Sequence, residues 1–314
     1  MDITTDLVRR LVAAQFPEWA GLPVRAVPRQ GNDNRTFRLG EELGCRLPSA
    51  VGYVAGVAKE DAALPLLAGH LDVAVPEPLA VGRPGEGYPF PWSVRGWLNG
   101  TTPDHDPALD RTGLARDVGA FLRALRQVPA ADGPPAGPHS HHRGSHPSVY
   151  ADQVDAALAE LGDRVDGTGC RSIWDAAVAT TWAGPPVWFH GDVAVGNLLT
   201  RDGSLIAVID WGTCGVGDPA CDLVLAWTLL GPGEREVFTD AVGLDDDTWA
   251  RAQGWALWKS LITLPNAASA EHDVQRADAE LRERPRALPR AARARLAVAD
   301  GPLDRLGRGQ QSRR

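Results

Sequence analysis

Three oxygen-bearing side chains stand out by type and spacing. Asp192 and Asn197, within His190-Gly191-Asp192-Val193-Ala194-Val195-Gly196-Asn197, are separated by four residues, and Asp210 follows at the end of a second apolar run. Moving a phosphoryl group onto a hydroxyl needs a carboxylate beside the nucleophile, two oxygens that can hold a hard divalent cation, and cationic or backbone donors over the phosphates. In a D-x-x-x-x-N loop the carboxylate is set at the acceptor hydroxyl and the amide oxygen turns to the metal. This segment therefore supplies the first two requirements. The rival reading, a hydrolytic metal centre on His190, Asp192 and Asp210, lacks the further ligands such sites use.

These residues need a scaffold that brings them together. Residues 198–200 and 205–209 are apolar runs flanking Asp202-Gly203, the strongest short hairpin signal, so Asn197 and Asp210 fall at the open end of one β-hairpin. Residues 187–189 read as a short strand ahead of His190, which is expected to pack and hold the loop. Further on, Gly217-Asp218-Pro219-Ala220-Cys221-Asp222 offers a helix cap at Asp218 with Pro219 at the first helical position.

The rest of the chain divides by pattern. Residues 7–12 follow a Thr cap with helical spacing (Leu7, Val8, Leu11, Val12). Residues 36–39 and 43–47 read as an antiparallel hairpin, preceded by the tight turn Gly31-Asn32-Asp33-Asn34. A helix covers 54 to about 63, ended or kinked by Pro65. Residues 73–76 and 92–95 read as further strands around a Pro/Gly loop at 83–91. From 111 onward the spacing is helical, over 114–125, 150–161 and 173–182, with a solvated loop at 129–147. The histidines of that loop, His139, His141, His142 and His146, have no rigid frame for a metal and are read as surface residues.

The segment VWFHGDVAVGNLLTRDGSLIAVIDWGTCGVGDPACDL closely resembles the aminoglycoside phosphotransferase family, which shares its fold with eukaryotic-like protein kinases, and the resemblance extends more weakly over residues 30–275. It implies an α+β fold of two lobes, with a small antiparallel-β N-lobe (1–97), a larger, mostly helical C-lobe (98–275) and an Arg-rich tail (276–314). It also implies ATP or GTP with Mg²⁺ in the cleft. Asp192 then takes the catalytic-base position, Asn197 and Asp210 the magnesium positions, and Asp218 and Asp222 the structural acids behind the loop. In the N-lobe, Arg46 stands where the family's phosphate-contacting lysine is found, with Glu60 as its helix partner. Asn34 belongs to a reduced phosphate-loop turn or a plain β-turn, and Arg95 to Gly100 fits the interlobe hinge that meets the purine, where Trp97 could instead pack between the lobes. Arginine grips phosphate through its fork but is not interchangeable with lysine at a fitted site.

Composition bounds the partners. The 314 residues carry a formal charge of −8; residues 276–314 hold eleven Arg and five acids, leaving about −14 on residues 1–275. An acidic body argues against nucleic acid and mildly favours a cationic small molecule. The N-terminal residues do not read as a signal peptide and no apolar run approaches a membrane span, so a cytoplasmic protein is expected, with oligomeric state open. The four cysteines lack a C-x-x-C pair and are read as buried thiols. Among basic residues only Lys59 and Lys259 are lysines, and Lys59 is read as a solvated surface residue. The acceptor expected is an aminoglycoside or another antibiotic; the alternatives are a metabolite kinase for an amino alcohol, amino sugar or homoserine, and a silent nucleotide-binding module. Candidate acceptor-binding acids (Asp152, Asp155, Asp240, Glu271) cannot be told from solvated helix acids.

Overall fold

The computed structural model describes residues 2–264 apart from 29 and 32; Glu271 and the Arg-rich segment 276–314 lie outside the described residues. Helix α1 (Thr5–Gln15) is capped by the Thr4 side chain and buries Leu7, Val8, Leu11 and Val12, as its spacing dictates. Strands β1 (Val24–Ala26), β2 (Asn34–Leu39), β3 (Leu43–Pro48), β4 (Pro78–Gly82) and β5 (Trp92–Gly96) form an antiparallel sheet in the order β1-β2-β3-β5-β4.

Strand alternation decides what this sheet offers the site. Cys45 and Leu47 of β3, and Trp92 and Val94 of β5, bury into one core with α1. Their alternate neighbours, Arg46 and Arg95, therefore project from the opposite face. That face meets helix α2 (Val54–Ala68), which buries Val57, Glu60, Leu64 and Leu67 at helical spacing.

Two expectations for this lobe are corrected. Pro65 does not end α2, which continues to Ala68 because Leu64 and Leu67 are locked into the second core. The strand expected at 73–76 is only an isolated bridge, Ala74 to Ala207; the true strand is β4, displaced toward Pro78–Gly82. The alternating Val73 and Val75 mimic a strand, but Val75 instead packs into the larger core.

That larger core is helical. It is built from α3 (Arg111–Leu125), α4 (Ala151–Leu161), α5 (Gly167–Val178), α6 (Leu225–Thr228), α7 (Pro232–Val242) and α8 (Asp246–Thr263), with strands β6 (Val187–Phe189), β7 (Leu198–Arg201), β8 (Ser204–Val208) and β9 (Gly215–Gly217). Helix α5 starts before the expected 173, because Asp166 caps it by accepting from the Gly169 N–H at 3.0 Å, and it ends at Val178. Strand β9, unforeseen, pairs with β6. The loop at 129–147 is not simply solvated: Ser140 and Gly144 are buried, and Pro135 bridges Val216 of β9. All four cysteines are buried, and burial pushes the Cys45 and Cys214 thiols up to about 12. No helix among the described residues is long and apolar enough to cross a membrane.

Glu234 shows how the helical lobe is pinned. Its carboxylate accepts the Gly231 N–H at the start of α7 (2.6 Å) and the Arg111 Nε–H from α3 (2.7 Å). Glu234→Ala is expected to lower unfolding free energy by about 1–2 kcal/mol in urea titrations, the range for a lost cap plus a charge-assisted hydrogen bond. The Arg111 hydrogen bond foremost holds the Glu234 pKa below the ordinary 4.5. A lowered folded pKa means this contribution is whole above about pH 4.5 and is lost as pH falls through the folded value.

Candidate active site

The catalytic loop is fixed from below by buried polar contacts. Asp222, wholly buried, accepts the N–H groups of His190 (2.7 Å) and Gly191 (2.6 Å). Burial raises its pKa despite those donors. His190 is also fully buried; one ring nitrogen meets the Ile209 carbonyl at 3.0 Å and the other meets the Asp192 N–H at 3.2 Å. With both nitrogens engaged and its ring against Trp211 at 4.6 Å, His190 ties loop to hairpin and has no lone pair left for a metal. Gly191 sits at φ +87°, where a Cβ would lie 2.8 Å from the Thr213 carbonyl oxygen, so the turn into Asp192 requires glycine.

Asp218 caps the turn Pro219–Val224 by accepting from the Ala220 N–H at 3.0 Å. It also forms a buried ion pair with Arg251 of α8 at 2.7 Å, a partner the sequence did not reveal. Arg251→Met is expected to destabilise the protein by about 3–5 kcal/mol in denaturant titrations, because it leaves the Asp218 charge buried without its counterion. Asp218→Asn in the Arg251→Met background should recover part of that loss.

Above this base the three oxygens converge. The Asn197 amide N–H donates to the Asp192 carbonyl (2.9 Å) and carboxylate (3.1 Å), which leaves the amide oxygen to face outward. Asp210 follows β8 in the left-handed region at φ +65°, a conformation Asp tolerates better than most residues, and its carboxylate is partly exposed. The hairpin β7–β8 thus does what its Asp-Gly turn promised.

From the other lobe, Arg46 Nη2 reaches across the cleft to Asp210 Oδ1 at 2.8 Å. Glu60 lies 3.7 Å from Arg46 but only 2.8 Å from Arg95 Nη2, so the helix glutamate is shared by two arginines. Burial works against the Arg46 charge, but Glu60 and Asp210 hold its pKa above the ordinary value. The Asp33 carboxyl lies near the same pair, raised by burial and then by Asp210.

A cleft of about 550 Å³ lies between the lobes, lined by Asn34, Arg46, Trp97, Asp192, Asn197 and Asp210 among others. Arg95 also borders it, but its guanidinium is buried against Glu60 and Ser93, and its backbone is paired in mid-sheet with Gly44 and Pro78. The Gly96 and Trp97 N–H groups are likewise spent, on Glu77 (3.2 Å) and Glu42 (2.7 Å). Trp97 lies under the Arg38 guanidinium at 5.0 Å.

The donor set suits a nucleotide with Mg²⁺. Asn197 and Asp210 offer hard oxygens on the rim of a cleft where phosphates could complete the shell. Among the described residues no three His, Cys, Asp or Glu side chains form a self-contained metal cage, and a cation shared with phosphates needs none.

Both lysines were underrated by sequence. Lys59, read as solvated, bonds His139 (3.1 Å to the ring, 3.0 Å to the carbonyl), and burial lowers its pKa. Lys259 lies 3.3 Å from Asp192 Oδ1. Burial pushes the Asp192 pKa up, but Lys259 and neighbouring positive charge more than offset it, so the net shift is downward and the carboxylate stays ionised at neutral pH. Being one of two lysines in an arginine-rich chain was the signal that could have singled out Lys259.

A small antiparallel sheet over a helical lobe, with Asp192, Asn197 and Asp210 opposite Arg46, defines a protein-kinase-like fold. The chain belongs to the phosphotransferase enzyme family (APH), whose model matches residues 25–255. It is similar to an aminoglycoside 3′-phosphotransferase of Escherichia coli, 27% identical over 121 residues, 36% of this chain and 42% of that protein. A second such E. coli protein is 24% identical over 143 residues, 43% of this chain and 51% of that protein. The match thus spans about half or less of these curated relatives. Among solved structures, a GDP complex of an aminoglycoside 2′-phosphotransferase-IIIa superposes with TM-score 0.65 at 17% identity, covering 90% of this chain and 98% of that one. A macrolide 2′-phosphotransferase from Brachybacterium faecium gives 0.58 at 24%, covering 88% and 97%. At these identities the likeness shows the fold.

Proposed function

We propose that this chain transfers the γ-phosphate of ATP or GTP to a hydroxyl of a small molecule. The observation that carries the reading is the convergence of Asp192, Asn197 and Asp210 with Arg46 on one cleft. The acceptor oxygen forms its bond to the γ-phosphorus while the bond from that phosphorus to the bridging oxygen breaks. The nucleoside diphosphate leaves with the bridging oxygen, and the hydroxyl proton goes to Asp192. Mg²⁺, held by Asn197 and Asp210, would supply charge neutralisation at the phosphates. Arg46 provides the cation from the upper lobe, kept in place by Glu60 on one side and Asp210 on the other.

Leu98 lines the cleft, and its N–H has no protein partner among the described residues, which makes it our candidate for the purine contact in place of Arg95. A GDP complex among the structural relatives supports nucleotide use. The names of the relatives make an aminoglycoside or macrolide antibiotic the first acceptor class to test, and dependence on ATP or GTP would favour a cytoplasmic location.

The test is an assay of ATP and GTP against aminoglycosides, macrolides, amino alcohols and sugar acids, reading product by mass. A phosphorylated product from one class is the expected result. Mg²⁺-dependent nucleotide binding with no product from any class would replace this reading by a silent nucleotide-binding module.

A further inference from the structure

The face of Asp192 turned away from the nucleotide cleft has a composition of its own. There a recess of about 10 Å³ is bordered by Asp192, Arg143, Trp255, Trp258, Lys259 and Cys221 among others. An acceptor hydroxyl must approach Asp192 opposite the leaving oxygen, because attacking and departing oxygens lie roughly in line.

Two cations wait on that side. Lys259 pairs with Asp192 Oδ1 at 3.3 Å, and its side chain is partly exposed. Arg143 lies with its guanidinium 4.7 Å from the Trp258 ring centroid and 5.7 Å from that of Trp255. Trp258 is itself held by Tyr150, stacked at 4.2 Å, and by the neutral Gln153, which accepts from its indole N–H at 2.9 Å. The only carboxylate among the described residues lining the recess is Asp192.

Once Asp192 turns to an acceptor hydroxyl, Lys259 loses its counterion. A cationic acceptor would place a third positive charge in this recess, whereas an anionic one restores the balance, and the Arg143 fork fits a carboxylate or phosphate. The overall acidity of the chain suggested a cationic acceptor; the two charges that flank Asp192 in this recess, Lys259 and Arg143, have the opposite sign.

We propose that Lys259 and Arg143 form an anion-binding subsite, and that the acceptor is a hydroxyl compound bearing a carboxylate or phosphate close to its reacting hydroxyl. This rests on the phosphotransfer reading. Lys259 releases Asp192 to the hydroxyl and takes up the acceptor's anionic group in exchange.

The test is kcat/KM with Mg²⁺ and ATP or GTP on acceptors matched except in charge: gluconate, sorbitol and glucamine; hydroxymethylbenzoate, its amide and aminomethylbenzyl alcohol; glycerol phosphate and glycerol; and kanamycin. In the wild-type protein anionic members should exceed their cationic or neutral counterparts at least about tenfold, the ratio that about 1.4 kcal/mol of charge pairing produces. The phosphate and carboxylate arms tell which anion is preferred. Lys259→Glu and, independently, Arg143→Glu should narrow or invert the ratio within each series, a readout insensitive to a general loss of activity or folded protein. Product only from neutral or cationic members, or an unchanged ratio in both variants, overturns the subsite and leaves phosphotransfer standing. No product from any member, in this series or with the antibiotics, overturns both.

Discussion

Asp192→Asn is expected to lower kcat on the true acceptor by about 10²–10⁴-fold, the usual contribution of a positioned general base. The substitution keeps the shape of the side chain and its contact with the Asn197 amide, but removes the charge that Lys259 and the surrounding cations stabilise. In the proposed reaction Asp192 meets the acceptor and not the phosphates, so KM for the nucleotide should change little. A loss divided equally between kcat and nucleotide KM would instead place Asp192 among the phosphate ligands.

Asp210→Ala is expected to be more damaging, at about 10³-fold or more in turnover. A metal ion contributes several kcal/mol of charge stabilisation at a transferring phosphoryl group, and in the proposed site Asp210 would be the only fully charged ligand of the Asn197–Asp210 pair. The same substitution removes the 2.8 Å anchor of Arg46 across the cleft. Its signature should be loss of the Mg²⁺ dependence of nucleotide binding, measured by calorimetry with and without the metal. The Asp210→Asn variant should retain more of the metal response, because it keeps one oxygen.

Why these two residues were readable in the chain, and others were not, follows from range. Asp192, Asn197 and Asp210 lie on one loop and one hairpin, so spacing and an Asp-Gly turn suffice to bring them together. Arg46 and Glu60 needed only strand alternation and helical spacing on top of the family resemblance. Lys259, Arg143 and Arg251 make contacts that exist only after α8 packs against the loop at 190–192 and its neighbours, and no local pattern encodes that docking. The surroundings of the Arg95 side chain were hidden for the same reason: its position before the hinge was visible, but the buried Glu60 that pairs with its guanidinium was not. Strand β4 was displaced because Val73 and Val75 satisfy strand alternation while Val75 serves the helical core, a tertiary demand overriding a local one.

The most direct test of the account follows the phosphoryl group itself. Wild-type protein, Asp192→Asn and Asp210→Ala would each be given Mg²⁺, nucleotide isotopically labelled in the γ-phosphate, and the acceptor that yields product, and the label located by mass. The account predicts that the label moves onto a hydroxyl oxygen of the acceptor with the wild-type protein, and that this transfer collapses in both variants while they remain folded. Label found only in inorganic phosphate, or transfer undiminished in Asp192→Asn, would contradict it.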